Sequence, residues 1–158
     1  MKRKGFMLIL TLLLLVLMVI IGLGLLGQAS AEYRAAEAMA GSMQAFNIAQ
    51  AGFEDARVKL QKDPLFPPPS DPAQRSFCYS ERYLDLDGLT VIGQYSVTID
   101  TQHNQNPWFI TKVTSVGEVL QGGTTVVARR SVYGEFRTSP YDGPHYGEMV
   151  NFRDEGGL

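Results

Sequence analysis

The sequence predicts an α+β chain in which one long N-terminal helix, half membrane span and half amphipathic, packs on a small three-stranded antiparallel sheet. From Phe6 to Gly27 the only polar side chain is Thr11, and no charge occurs between Lys4 and Glu32. Good helix formers then continue from Gln28 to Lys62 with apolar residues at seven-residue spacing. Beyond a proline cluster, three stretches rich in β-branched and aromatic residues read as strands.

The apolar run comes first. As a helix, residues 6–27 would be roughly 33 Å long, which matches a bilayer core of about 30 Å. Lys2, Arg3 and Lys4 stand immediately before it. Cationic residues stay on the cytoplasmic side, so the residues after the span are expected outside.

Between Gln28 and Lys62 the residues Met39, Phe46, Phe53 and Leu60 recur every seven positions, with Met43, Ala49 and Ala56 near them. That is one apolar stripe, expected to face the sheet. The helix is expected to stop near Lys62 or Asp63, because Pro64, Pro67, Pro68, Pro69 and Pro72 follow. Proline removes a backbone donor and clashes with the preceding turn, so 63–74 reads as a stiff, partly polyproline linker.

The stretch 75–89 carries Phe77, Tyr79, Tyr83 and Leu86 without clear alternation and reads as a loop that lays aromatics on the helix. In Gln94–Asp100 the residues Tyr95, Val97 and Ile99 alternate with polar neighbours. Trp108–Val119 and Thr124–Phe136 supply two more strands, separated by the turn signal Gln121-Gly122-Gly123. Short connections make consecutive strands antiparallel neighbours. Residues 138–158 contain Pro140, Asp142-Gly143-Pro144 and Glu155-Gly156-Gly157, with no periodicity, and are expected to form a coil or a strap along a sheet edge.

The chain has 158 residues, so the span leaves room for one small outer domain. Its formal charge of −2 argues against a general nucleic-acid surface. Cys78 is the only cysteine, which excludes an intramolecular disulfide; beside Phe77 and Tyr79 it reads as a small buried hydrophobe. His103 and His145 have no cysteine or carboxylate at ligand spacing. Asp85-Leu86-Asp87-Gly88 has the opening of a calcium loop but not the remaining ligand spacing, so Asp85 and Asp87 read first as an acidic turn. Glu54 and Asp55 are adjacent on a helix and point apart, which suits solvation better than acid–base chemistry. No nucleophile elbow, phosphate loop or nucleotide fingerprint occurs, so the reading is of a chain that is not an enzyme and carries no cofactor.

The combination resembles the type IV pilin superfamily, in particular its PilX-like and general-secretion-K-like minor pilins (pseudopilins). A short basic leader, residues 1–5, ends in Gly5, with Phe6 opening the apolar run as at a prepilin-peptidase site. Ala49-Gln50-Ala51-Gly52-Phe53-Glu54-Asp55-Ala56 is similar to the A-x-A-G-hydrophobic-E-x-A stretch of the minor pilins, and Tyr95–Ile99 and Phe109–Gly117 look like strands of the family's small sheet. The likeness covers Lys4 to about Phe136. It implies cleavage between Gly5 and Phe6, N-methylation of Phe6, and a bacterial inner-membrane span with a periplasmic domain. It also implies assembly, with other pilin subunits and an inner-membrane platform, into a type IV pilus or type II secretion-like filament. Loss of the three leader cations would take the formal charge to −5. One departure is Leu10, where major pilins carry Glu four residues after the cleavage site; minor subunits of this kind often lack it. Pilus, secretion pseudopilus and DNA-uptake fibre all fit these residues. Two other readings stand beside them: a secreted domain whose signal peptide ends at Ala29-Ser30-Ala31, and a permanently anchored domain with no filament role.

Overall fold

The computed structural model describes residues 3–63, 66, 75–138 and 145–156. The chain divides into two units, Met1–Met39 and Ala40–Leu158. A single helix, α1, runs from Arg3 to Lys62. Lys2 lies outside the described residues, and the backbone of Arg3, Lys4 and Gly5 forms the first turn of α1. In the first unit the large apolar side chains from Phe6 to Leu26 are all exposed. Thr11 Oγ1 donates to Leu8 O at 2.9 Å, so the one hydroxyl of the run is satisfied by the helix itself.

In the second unit α1 packs on a five-stranded antiparallel sheet of order β1-β2-β3-β4-β5. The strands are β1 Ser76–Leu84, β2 Val91–Asp100, β3 Ile110–Gln121, β4 Thr125–Arg137 and β5 Met149–Gly156. The α+β class and the antiparallel sheet agree with the sequence reading, but the sheet has five strands rather than three. The three expected strands are its centre; β1 lies where a loop was expected, and β5 runs along the sheet edge, where 138–158 was expected as a coil or an edge strap. In β1 the residues Phe77, Tyr79, Glu81 and Tyr83 share one face, and the carboxylate among three aromatics hides the period of two. Strand β5 is exposed along almost its whole length, so burial imposes little apolar pattern on it. It pairs with β4 from Phe136↔Met149 to Ser131↔Gly156. Of the expected linker 63–74, only Asp63, Phe66 and their contacts fall among the described residues; Pro64, Pro67, Pro68, Pro69 and Pro72 lie outside them.

The core holds Val97, Ile99, Val113, Val132 and Phe136 from the sheet and Ala45, Ile48, Ala49, Phe53, Ala56 and Leu60 from the helix. Small residues set the distance between the two layers. A Cβ on Gly117 would lie 2.3 Å from both Ala45 O and Ala49 N, and a Cβ on Gly52 would lie 2.6 Å from Tyr95 and from Ser115. The helix backbone therefore touches the sheet backbone at β3, and Phe53 fills the space above Gly134, stacked on Phe136 at 5.1 Å. Of the expected stripe, Phe53 and Leu60 are in the core and Phe46 packs half-buried against it, whereas Met39 is 73% exposed. Met43 is exposed as well. The buried face is carried by the alanines at 45, 49 and 56 as much as by the larger residues.

Candidate functional site

The most consequential surface is the helix from Phe6 to Leu26. Sequestering a Val, Leu, Ile, Phe or Met side chain from water is worth roughly 1.5–3 kcal/mol. With every such side chain in this stretch exposed, the surface amounts to tens of kcal/mol, on the order of an entire domain core. Such a segment is compatible with a single membrane span near the N-terminus. Among the described residues, α1 is the one helix long and apolar enough to cross a membrane, and the qualifying segment lies near the N-terminus. Gly5 and Phe6 are both helical, and the Phe6 and Leu10 side chains are exposed.

A second feature was not foreseen: a polar network where β1 and β2 meet the helix. Lys59 Nζ lies 2.7 Å from Asp55 Oδ2 and 2.7 Å from Glu81 Oε1. The Tyr79 hydroxyl donates to Asp55 Oδ2 at 2.8 Å, the Tyr95 hydroxyl donates to Glu81 Oε2 at 2.9 Å, and the ammonium sits 4.1 Å from the Tyr79 ring centroid. Burial, followed by the hydrogen bonds to the carboxylates, pushes the hydroxyls of Tyr79 and Tyr95 well above the usual phenol range. Burial alone would lower Lys59, but hydrogen bonds and charge from Asp55 and Glu81 outweigh it and raise the ammonium. The i,i+4 pair Asp55–Lys59 was visible in the sequence; its third partner, Glu81, required β1 to be recognised as a strand. The network holds one cation between two carboxylates and presents no activated nucleophile.

The remaining candidates are dispersed. Cys78 was expected to be buried; it is free and exposed. Strand alternation places Phe77 and Tyr79 toward the helix and Cys78 on the opposite face, where its Sγ accepts from the Thr98 hydroxyl at 3.7 Å. Glu54 pairs with Arg57 at 2.6 Å while Asp55 turns to Lys59, so the two neighbouring carboxylates do point apart. Asp87 accepts from the Thr90 hydroxyl, Thr90 N and Leu89 N, and these hydrogen bonds hold its carboxyl below the usual range. No group of three His, Cys, Asp or Glu side chains close enough to hold a metal occurs among the described residues. His145 contacts Glu148 at 3.0 Å.

At the end of the sheet near Leu60 lies a cavity of about 140 Å³ lined by Leu60, Phe66, Thr101, Asn104, Thr111, Thr138 and Tyr146. Its lining holds hydroxyls and an amide but no carboxylate, imidazole or ammonium. No protein-family model matches the chain, and no curated protein or solved structure matches it either.

Proposed function

We propose that this chain is a minor subunit, pilin-like or pseudopilin-like, of a filament assembled from a membrane. The observation that carries the reading is the single helix Arg3–Lys62: from Phe6 to Leu26 its exposed side chains are apolar apart from Thr11, and its later part supplies one wall of the domain core. The helix runs without interruption through Ala29-Ser30-Ala31, which supports this reading over an ordinary cleaved signal. In the proposed mechanism residues 6–27 wait in the bilayer and the leader is removed after Gly5. The apolar helix then passes from lipid into a bundle of like helices. Both media are apolar, so the transfer changes hydrophobic energy little, and side-chain packing selects the neighbours.

Leu10 bears on where such a subunit sits. Processing leaves an ammonium on Phe6 in apolar surroundings, where an unpaired charge costs several kcal/mol. In the pilins the chain resembles, a Glu at this position neutralises the amine of the subunit added before it. A subunit with leucine there escapes the penalty by having no predecessor. The chain is therefore assigned to the initiating, distal position.

Mass spectrometry of the mature protein tests the assignment. A chain beginning at methylated Phe6 supports processing as a prepilin. One beginning at Glu32 identifies a secreted domain, and one beginning at Met1 a permanent anchor; either result rejects the proposal.

A further inference from the structure

The cavity near Leu60 differs in chemistry from the rest of the helix–sheet interface. The inward positions of β3 are Thr111, Val113, Ser115, Gly117 and Val119, all of them buried. Gly117 meets the helix backbone and Val113 belongs to the core. Leu60 is the last helix residue in that core, and α1 ends at Lys62. Around Thr111 the wall is therefore completed by connections: Phe66 after the helix, Thr101 and Asn104 after β2, Thr138 after β4 and Tyr146 before β5. They enclose about 140 Å³, and all the lining residues belong to the unit Ala40–Leu158. Asn104, the exposed member of the lining, marks the mouth.

A hydroxyl has one proton to give and two lone pairs to offer. Thr101 Oγ1 donates to Arg75 O at 3.1 Å, and the Tyr146 hydroxyl donates to Leu60 O at 3.2 Å. Thr138 Oγ1 donates to Asn104 Oδ1, with Phe109 O at 3.2 Å as a second acceptor. These hydroxyls have committed their protons within the protein, and what they keep is acceptor oxygen. Thr111 differs. It is 1% exposed, and its Oγ1 has no hydrogen-bond partner within the protein. A buried hydroxyl left unbonded is costly, so an occupant that bonds it is favoured. Ser115 Oγ is also buried and unpartnered, but it lies so close to Gly52 that not even a methyl group fits between them.

The lining also says what the occupant is. It contains no charged side chain, so neither an anion nor a cation finds a counter-charge there. A hydrocarbon would leave the Thr111 hydroxyl unbonded. Leu60 and Phe66 form an apolar wall opposite the hydroxyls and the amide, which suits a carbon chain that carries hydroxyl groups. Size sets the length of that chain: a cavity of about 150 Å³ accepts benzene, and glycerol has the same number of heavy atoms. We propose that this cavity binds a neutral polyol, either a free three-carbon triol or the glycerol-like end of a longer sugar alcohol. Thr111 bonds one hydroxyl of the ligand, and Leu60 and Phe66 cover its carbon chain. The proposal concerns the unit Ala40–Leu158 alone and does not depend on the filament reading.

Threonine methyl groups report on the cavity directly. The full chain in lipid nanodiscs, with carbon-13 at its threonine methyls, is titrated separately with glycerol, sorbitol, lactate and benzene and followed by nuclear magnetic resonance. Glycerol is expected to shift the methyls of Thr101, Thr111 and Thr138 and to saturate in the millimolar range, as befits so small a ligand. Thr90, Thr98 and Thr124 are expected not to move. Thr111→Val is expected to weaken glycerol binding, read at Thr101 and Thr138, by about tenfold. Asn104→Ala at the exposed mouth is expected to weaken it several-fold, and Ser115→Ala, which removes the other unpartnered hydroxyl, to leave it unchanged. Sorbitol binding as tightly as glycerol assigns the end of a longer polyol, and exclusion of sorbitol assigns the free triol; both support the site. Shifts that grow with glycerol without saturating mean that water alone fills the cavity, and they overturn the proposal. So do equal affinity for lactate, saturation by benzene but not by glycerol, and an unchanged glycerol affinity in both Thr111→Val and Asn104→Ala.

Discussion

Gly117→Ala is the most direct probe of how the helix is seated. A methyl group on Gly117 would lie 2.3 Å from Ala45 O, 2.3 Å from Ala49 N and 2.9 Å from Ala49 Cα. All three are backbone atoms of a helix, so none can rotate away. Restoring an ordinary separation near 3.4 Å requires the helix to lift by about 1 Å, and a gap of that size forfeits roughly a quarter to a half of the dispersion energy at each contact. The lift is shared by Ala45, Ile48, Ala49 and Phe53, which are all fully or almost fully buried. The expected loss is about 2–4 kcal/mol, at or above the upper range for overpacking a core, and a large part of a margin of roughly 5–15 kcal/mol.

Gly41→Ala supplies the internal contrast. Its Cβ would meet Ala128 Cβ at 3.4 Å, an ordinary contact, and alanine is favoured over glycine in a helix by up to about 1 kcal/mol. The two substitutions add the same atom to the same interface with opposite expected signs. Urea unfolding of the full chain in detergent micelles, followed by tyrosine near-ultraviolet circular dichroism, reads the domain rather than the micelle-held helix. With a slope of roughly 1–3 kcal/mol per molar urea, Gly117→Ala is expected to lower the midpoint by about 1 M or more at unchanged slope. A Gly117→Ala midpoint equal to wild type, or a Gly41→Ala loss of the same size, would refute the close backbone approach.

Phe53→Ala is expected to cost about 3–5 kcal/mol in the same assay, since it empties the space between Gly134, Phe136 and Phe152, whereas Met39→Ala should stay within about 0.5 kcal/mol. Tyr133, raised to about 12 by burial and the hydroxyl's bond to Glu135, and Tyr79 and Tyr95, raised further, all favour the neutral phenol in the folded state. Their stabilisation is complete below the unfolded pKa near 10 and is lost as pH rises toward the folded values, so the midpoint should hold steady to about pH 9 and fall above pH 10, in step with tyrosinate absorbance. If the chain is the initiating subunit proposed above, Leu10→Glu is expected to admit it to a filament shaft; labelled wild-type copies spread along the shaft at major-subunit levels would reject that role.

How much of this was legible in the sequence depended on how strongly burial constrains each segment. The apolar run and the helix to Lys62 were plain, because lipid-compatible composition and the proline cluster are written in residue type alone. The central strands were plain because one face of each is buried, as in Val97 and Ile99. Strand β1 was not, since its inward Glu81 is paid for by Lys59 from a helix about twenty residues earlier, a pairing no local window contains. Strand β5 was not, because its exposed residues are free to be Asn151, Arg153 and Asp154. Cys78 was misplaced for the same reason as β1: without the strand, its alternation with Phe77 and Tyr79 had no meaning.

On the helix face, small residues mark the interface as much as large ones do. The expected stripe of large residues with Met43, Ala49 and Ala56 near them includes Met39 and Met43, which are exposed, and Ala49 and Ala56, which are buried; it leaves out Ala45, Ile48 and Gly52. Where two backbones meet, the residue that marks the interface is the one that is not there to obstruct it. The two parts of α1 therefore obey different rules. Between Phe6 and Gly27 any Leu, Ile, Val or Met meets the same requirement, a surface that an apolar medium will accept. Between Ala45 and Ala56 the small side chains of Ala45 and Ala49 let Gly117 meet the helix backbone, while Ile48 fills the space over Gly93, and a single added methyl is felt. A helix built this way tolerates a change of apolar surroundings along its first part while its second part stays packed on the sheet, which is what the proposed transfer from lipid to filament would require.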